Sequence, residues 1–207
     1  MNFDVACDQT IKNEGVYDFD PNDTGGETVF GVSRNNFPKW QGWAIVDKYK
    51  SILGSTTSNF RNALKADEAL MGLVRSWYKS EFWNPFSLDD IEDYSLAFEV
   101  FDQAVNLGRS KVTQHIQKAC NALNYKYAFG SDLGIDGLIG PLTRRRFVSI
   151  ANDRKYTEVM RRALDGLQVS HYIALGLSSS AKSDYRKYTR GWLLNRVGKY
   201  NAAGLVA

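Results

Sequence analysis

A mainly α fold (α+β class) with one small β-hairpin after the first helix is what the sequence predicts, and three observations carry it. Apolar residues recur three and four apart through most of the chain, the spacing of one helix face. The exception is the stretch from Tyr17 to Ser33. There turn chemistry in Asp20-Pro21-Asn22-Asp23 and Gly25-Gly26 leads into the β-favouring Thr28-Val29-Phe30-Gly31-Val32. Finally, 207 residues that are 43% hydrophobic and 24% charged can bury a core, and 17 Gly and 4 Pro are too few for a disordered polymer.

The elements follow in order. Phe3, Cys7 and Thr10 or Ile11 keep helical spacing, with Asn2 or Asp4 as a start and Gly15 as a stop. The hairpin comes next. Helices are then expected over 66–82, 94–107, 111–123, 141–150 and 157–175, bounded by Gly108, Gly140-Pro141 and Gly176. Residues 42–62, with Gly54-Ser55-Thr56-Thr57-Ser58, and 125–140, with four glycines, are read as loops or insertions. No internal repeat is visible.

Charge divides the chain. Residues 1–92 hold 9 Lys and Arg against 14 Asp and Glu, and residues 93–207 hold 17 against 9, so the formal +3 hides halves of −5 and +8. The basic half, with Arg144-Arg145-Arg146, Arg161-Arg162, Lys182, Arg186, Lys187 and Arg190, suits an anionic partner, or is a solvated face. No nucleic-acid motif accompanies these arginines, so nucleic acid is not an expected partner. Apolar runs fall far short of the ~20 residues of a membrane span, and the opening MNFDVACDQTIKNE is no ordinary signal peptide. Two distant cysteines, Cys7 and Cys120, fit a reduced compartment at synthesis.

Several chemistries lack their residues. His115 and His171 have no second His or Cys at ligand spacing, and the calcium-loop-like Asp18-Phe19-Asp20-Pro21-Asn22 continues with Asp23 at the glycine position and Val29 at the glutamate position. Serine-elbow and phosphate-loop motifs do not occur. No metal or cofactor is expected, and hydrolysis by carboxylates remains.

Glu14 is the carboxylate to explain. It lies three residues after Ile11 and seven after Cys7, on the buried stripe at the end of the first helix, where carbonyl dipoles disfavour negative charge. Burial and dipole both raise its pKa, and a carboxyl kept protonated is a general acid for a leaving oxygen, the first requirement of glycosidic cleavage. The alternative is a helix-end carboxyl bonded to backbone or arginine. Asp23 and Thr28 follow where the chain turns back, so that two carboxyls and a hydroxyl can line one cleft. In an inverting glycosidase the carboxyls stand ~6.5 to 9.5 Å apart, leaving room for a water. Otherwise Asp23 is an Asx-turn residue and Thr28 an ordinary strand residue.

The segment from Glu14-Gly15-Val16-Tyr17 through Asp20-Pro21-Asn22-Asp23-Thr24-Gly25-Gly26-Glu27-Thr28-Val29-Phe30-Gly31-Val32-Ser33 resembles the opening of glycoside hydrolase family 108, the N-acetylmuramidases found among phage endolysins and in bacterial secretion operons. Phe82-Trp83-Asn84-Pro85 and Phe101-Asp102-Gln103-Ala104-Val105-Asn106-Leu107-Gly108 resemble its later blocks. Asp136-Gly137-Leu138-Ile139-Gly140-Pro141-Leu142-Thr143 and Arg190-Gly191-Trp192-Leu193-Leu194-Asn195-Arg196 are similar to its C-terminal, predicted peptidoglycan-binding region. Val16 departs from the family's E-G-G-Y.

The resemblance implies a lysozyme-like helical fold that cleaves the β-1,4 bond between N-acetylmuramic acid and N-acetylglucosamine. Glu14 would be the acid, Asp23 the base, with Asp20 as its competitor, and Thr28 the holder of the water. Tyr17, Gly31, Trp83 and Asn106 are the expected substrate-binding residues. Trp83 can instead be core, like Trp77 and Tyr78, and Asn106 a helix-end residue bonding carbonyls. The implied organisation is a catalytic lobe, 1–92, and a helical lobe, 93–207, packed as one lysozyme-like unit. The implied setting is a monomeric endolysin made in the host cytoplasm that reaches the periplasm through a holin or similar route. Its partners would be peptidoglycan and anionic outer-membrane glycolipid. Competing readings are a lytic transglycosylase, a secretion-associated muramidase and a non-catalytic wall-binding module.

Overall fold

Phe3, Ala6, Cys7 and Thr10 are buried at successive helical turns, and this stripe makes the first helix, α1 (Phe3–Asn13). The computed structural model describes residues 3–20, 25–178 and 184–198. Among these residues it holds nine α-helices and one three-stranded antiparallel sheet, the mainly α, lysozyme-like class expected from the sequence. Contacts group the chain into two units, one running to Glu81 and one from Phe82 on.

In the first unit the sheet is β1 (Tyr17–Phe19), β2 (Glu27–Val29) and β3 (Val32–Ser33), in that order. Register pairs Tyr17 with Val29, Asp18 with Thr28 and Val29 with Val32, so Tyr17, Glu27, Val29 and Val32 turn into the core. Glu27 is an acid in that core, held by the Tyr17 hydroxyl at 2.8 Å, Lys50 Nζ at 2.9 Å and Arg34 Nε at 2.6 Å. The expected β run from Thr28 to Val32 is broken, because the chain reverses at Phe30 and Gly31, both at positive φ (44° and 81°). Positive φ at both central residues is the two-residue turn whose twist matches a hairpin.

Residues 42–62 are not a loop. α2 (Gly42–Leu53) fills most of the stretch, buries Trp43 and Val46, and ends at Gly54 (φ 72°). The Gly, Ser and Thr residues there punctuate helix ends: Thr57 accepts the Phe60 N–H at 3.1 Å and starts α3 (Ser58–Ala66). Asp67 does the same for α4 (Glu68–Tyr78), accepting from Leu70 N at 2.8 Å. Phe60, Leu64, Leu70, Val74 and Tyr78 from these two helices complete the core. Arg75 of α4 pairs with Asp8 of α1 at 2.6 Å.

The second unit forms around α5 (Tyr94–Leu107), capped by Asp93, whose carboxylate accepts from Leu96 N at 2.8 Å. Every residue from Ser95 to Ala104 is buried, so polar Glu99, Asp102 and Gln103 lie inside. Gly108, at φ 80°, closes α5 and at once opens α6 (Arg109–Ala122). Residues 125–140 are largely irregular, as expected, with one 3-10 turn at Tyr125–Tyr127. Side chains of and just past α6 hold this loop's backbone. Asn121 bonds Leu133 at both N and O, Asn124 bonds Phe129 N and Gly130 O, and Gln117 accepts from Gly137 N. α7 (Pro141–Ala151), α8 (Thr157–Leu177) and α9 (Arg186–Arg196) follow. Among the described residues no helix is long and apolar enough to cross a membrane.

Three of the basic residues named from the sequence are engaged within the fold. Arg146 is buried and donates from both terminal nitrogens to Ser131 O at 3.3 Å, while Arg161 and Arg162 pair with Glu158 at 2.6 and 2.7 Å. Arg145, Arg186, Lys187 and Arg190 are exposed, and Lys182 lies outside the described residues.

Candidate active site

Glu14 follows the last residue of α1, and its N–H is shared between Thr10 O and Ile11 O at 3.2 Å, the bifurcated bond typical of a helix end. Its side chain is half-buried, at the rim of the stripe that the sequence placed inside. It lines a groove of about 300 Å³ whose other walls are the apolar Ile11, Val16, Phe30 and Met71, with Lys12 and Lys65. A carboxyl in this position meets both desolvating side chains and the carbonyl end of a helix dipole.

The Phe30–Gly31 turn forms one side of this environment and is pinned from two directions. Phe30 N donates to Val16 O at 3.1 Å, and the Tyr78 hydroxyl donates to Phe30 O at 3.0 Å. These bonds hold an aromatic residue at a positive φ that such side chains rarely adopt. Gly31 is required twice: its φ is 81°, and a Cβ there would stand 2.6 Å from the Tyr78 hydroxyl and 3.8 Å from Glu14 Oε2. Glu14, Gly31 and Tyr78 are thereby brought together. Burial first, then the neighbouring Glu14 carboxyl, push the Tyr78 hydroxyl well above the ordinary phenol range, so it stays a donor.

The other expected residues fall as follows. Tyr17 is buried, with its ring edge on Phe60 at 4.9 Å and its hydroxyl on Glu27. Thr28 is half-buried on the opposite face of β2, cross-strand from Asp18 and from Ser33. Asp23 lies outside the described residues, and Asp20 is exposed. Trp83 belongs to the second unit, where it is buried, donates from Nε1 to Asp89 at 2.8 Å and packs edge-on to Phe101 at 5.5 Å. Asn106, in the same unit, donates its amide to Asp102 O at 2.7 Å and to Asp102 Oδ2 at 3.0 Å.

Sequence reasoning passed over two features. Asp18 is the carboxylate that sheet register sets directly opposite Thr28, about 5 Å between Cβ atoms for such pairs; strand alternation was the signal, but the register depends on where the turn falls. Tyr78, read as a core aromatic, is buried as expected, and its hydroxyl also fixes the turn beside Glu14.

Two other places in the second unit invite comparison. A larger cleft of about 520 Å³ is lined by Ser87, Asp90, Pro141, Arg144, Arg145, Val148 and Ser149. Its charged lining residues are Asp90, Arg144 and Arg145. Glu99 and Asp165 are an acid pair, and burial first, then each other's proximity, raises Glu99 far above the carboxylate range. Glu99 is only 1% exposed, which keeps a polymer from it. The groove at Glu14 combines an acid, access and an apolar wall.

Comparison with known proteins adds three findings. No curated protein matches the sequence. Among solved structures the chain is similar to Brucella abortus SagA, at 19% identity and a TM-score of 0.50, covering 92% of this chain and 86% of that one. At that identity the likeness shows a shared fold. Residues 7–108, just under half the chain, match the model of the family described as Glycosyl hydrolase 108. That segment holds the end of α1 from Cys7, the sheet and the groove at Glu14, and the family it supports is glycoside hydrolase family 108.

Proposed function

We propose that the protein is an N-acetylmuramidase that hydrolyses the β-1,4 bond between N-acetylmuramic acid and N-acetylglucosamine in peptidoglycan. The observation that carries the reading is Glu14 at the carbonyl end of α1, in an open groove with an apolar wall, inside the segment that matches a glycoside hydrolase family. In this reading the Glu14 carboxyl protonates the leaving glycosidic oxygen. A second carboxylate, Asp23, deprotonates a water held by Thr28, which attacks the anomeric carbon from the opposite face with inversion. Tyr78 and Gly31 keep the turn beside the acid in place. The biological setting that fits is an endolysin made in the host cytoplasm and acting in the periplasm during lysis.

The test is Glu14→Gln, which keeps the shape of the side chain and removes its proton. Release of reducing ends from purified cell walls should fall at least about a hundredfold with folding intact. Undiminished release would remove Glu14 from the mechanism. Anhydro-sugar ends in the wild-type products would replace hydrolysis by intramolecular attack of the sugar's 6-hydroxyl, which needs no basic aspartate.

A further inference from the structure

We infer that Lys12 and Lys65 make the Glu14 groove selective for glycan that carries its acidic stem peptide, an inference that rests on the muramidase reading above. Acids outnumber bases 14 to 9 over residues 1–92, so a concentration of positive charge in this part of the chain stands out. Several of its bases are engaged: Arg34 with Glu27 and Asp47, Lys50 with Glu27, and Arg75 with Asp8. Lys12 on α1 and Lys65 on α3 are different. They come from separate helices, both are exposed, neither is in an ion pair among the described residues, and both border the groove that holds Glu14.

Two ammonium groups beside an apolar wall of Ile11, Phe30 and Met71 define what fits there. The faces of a sugar ring and the methyl of a lactyl ether suit the apolar wall, and free carboxylates suit the lysines. A muramyl residue with its stem peptide offers all of these on one unit. A neutral glycan leaves the ammonium groups without a counterpart. The flexible lysine stems also allow each head to follow a peptide whose position varies along the strand.

Purified wild type and Lys12→Ala/Lys65→Ala are compared on soluble peptidoglycan strands and on the same strands with their peptide carboxylates converted to methylamides. Two exposed charge pairs imply a change of roughly fivefold. KM of the double variant on native strands should therefore rise by that factor with kcat unchanged. Its KM on the amidated strands should equal that of the wild type, and Lys12→Arg/Lys65→Arg should restore the native value. Added salt should raise the wild-type KM on native strands alone. An equal change on both substrates, or none on either, overturns the inference. If the wild type cleaves neither substrate, the muramidase reading fails and takes the inference with it.

Discussion

Gly31→Ala tests the geometry around Glu14 directly. An alanine at φ 81° is strained by about 1–2 kcal/mol. Its methyl would also stand 2.6 Å from the Tyr78 hydroxyl, a separation at which something must move. Tyr78 is 1% exposed and its hydroxyl donates to Phe30 O at 3.0 Å, so moving it strips a buried bond, a further ~1–3 kcal/mol. The expected destabilisation is about 2–5 kcal/mol. In a Tyr78→Phe background the offending oxygen is gone and the next ring atom, Cζ, stands at an ordinary 3.7 Å, so only the backbone strain remains. Four proteins, wild type, both single variants and the double variant, followed by urea unfolding, give the coupling. It should be favourable by about 1–3 kcal/mol in the double variant. The double variant should therefore be about as stable as Gly31→Ala alone, because the bond that Tyr78→Phe removes is already lost there. Additivity within about 0.5 kcal/mol would refute the argument that Tyr78 and the turn act as one unit.

Glu27→Ala should destabilise by about 1–3 kcal/mol in the same unfolding assay, since it leaves the buried Tyr17 hydroxyl without its acceptor and Lys50 without its carboxylate, while Arg34 keeps Asp47. Stability should depend on pH through two buried groups of opposite sign. Burial, then the neighbouring His171, Lys111 and Lys118, hold the His115 pKa down to about 4. The folded state therefore binds fewer protons than the unfolded chain, and His115's contribution is lost as pH falls from about 6.5 through 4. Glu99, raised by burial and by Asp165, runs the other way: its contribution is full below the usual glutamate pKa and is lost as pH rises above it. Melting curves across pH should show His115→Gln less acid-sensitive than wild type and Glu99→Gln less sensitive on the alkaline side. Parallel curves for all three proteins would show that neither group titrates out of register with the unfolded chain.

Much of the fold is local information. The α1 stripe at Phe3, Cys7 and Thr10, the periodicity of 94–107 closed by Gly108, and Pro141 after Gly140 each determine a helix within a few residues, and the structure has these helices where the pattern sets them. The misread stretch, 42–62, shows the limit of such reasoning. Gly54 and Thr57 carry the same signal whether they lie in a loop or at the ends of two helices, and only burial of Trp43 and Val46 decides between them. Of the candidate site, Glu14 was legible because helical spacing alone determines its face.

The chain's own order of residues thus determined the ends of several helices, the location of the hairpin and the position of Glu14 at the close of α1. Tertiary structure alone decided that the hairpin reverses at Phe30–Gly31, that Tyr17 and Trp83 are core, that Tyr78 holds the turn, and that lysines from α1 and α3 share the groove. The division has a physical cause. Periodicity and capping act over a few neighbours along the chain, whereas the Tyr78 bond to Phe30 O joins residues 48 apart, and the strain at Phe30 is tolerated only once that bond and the core around it have formed.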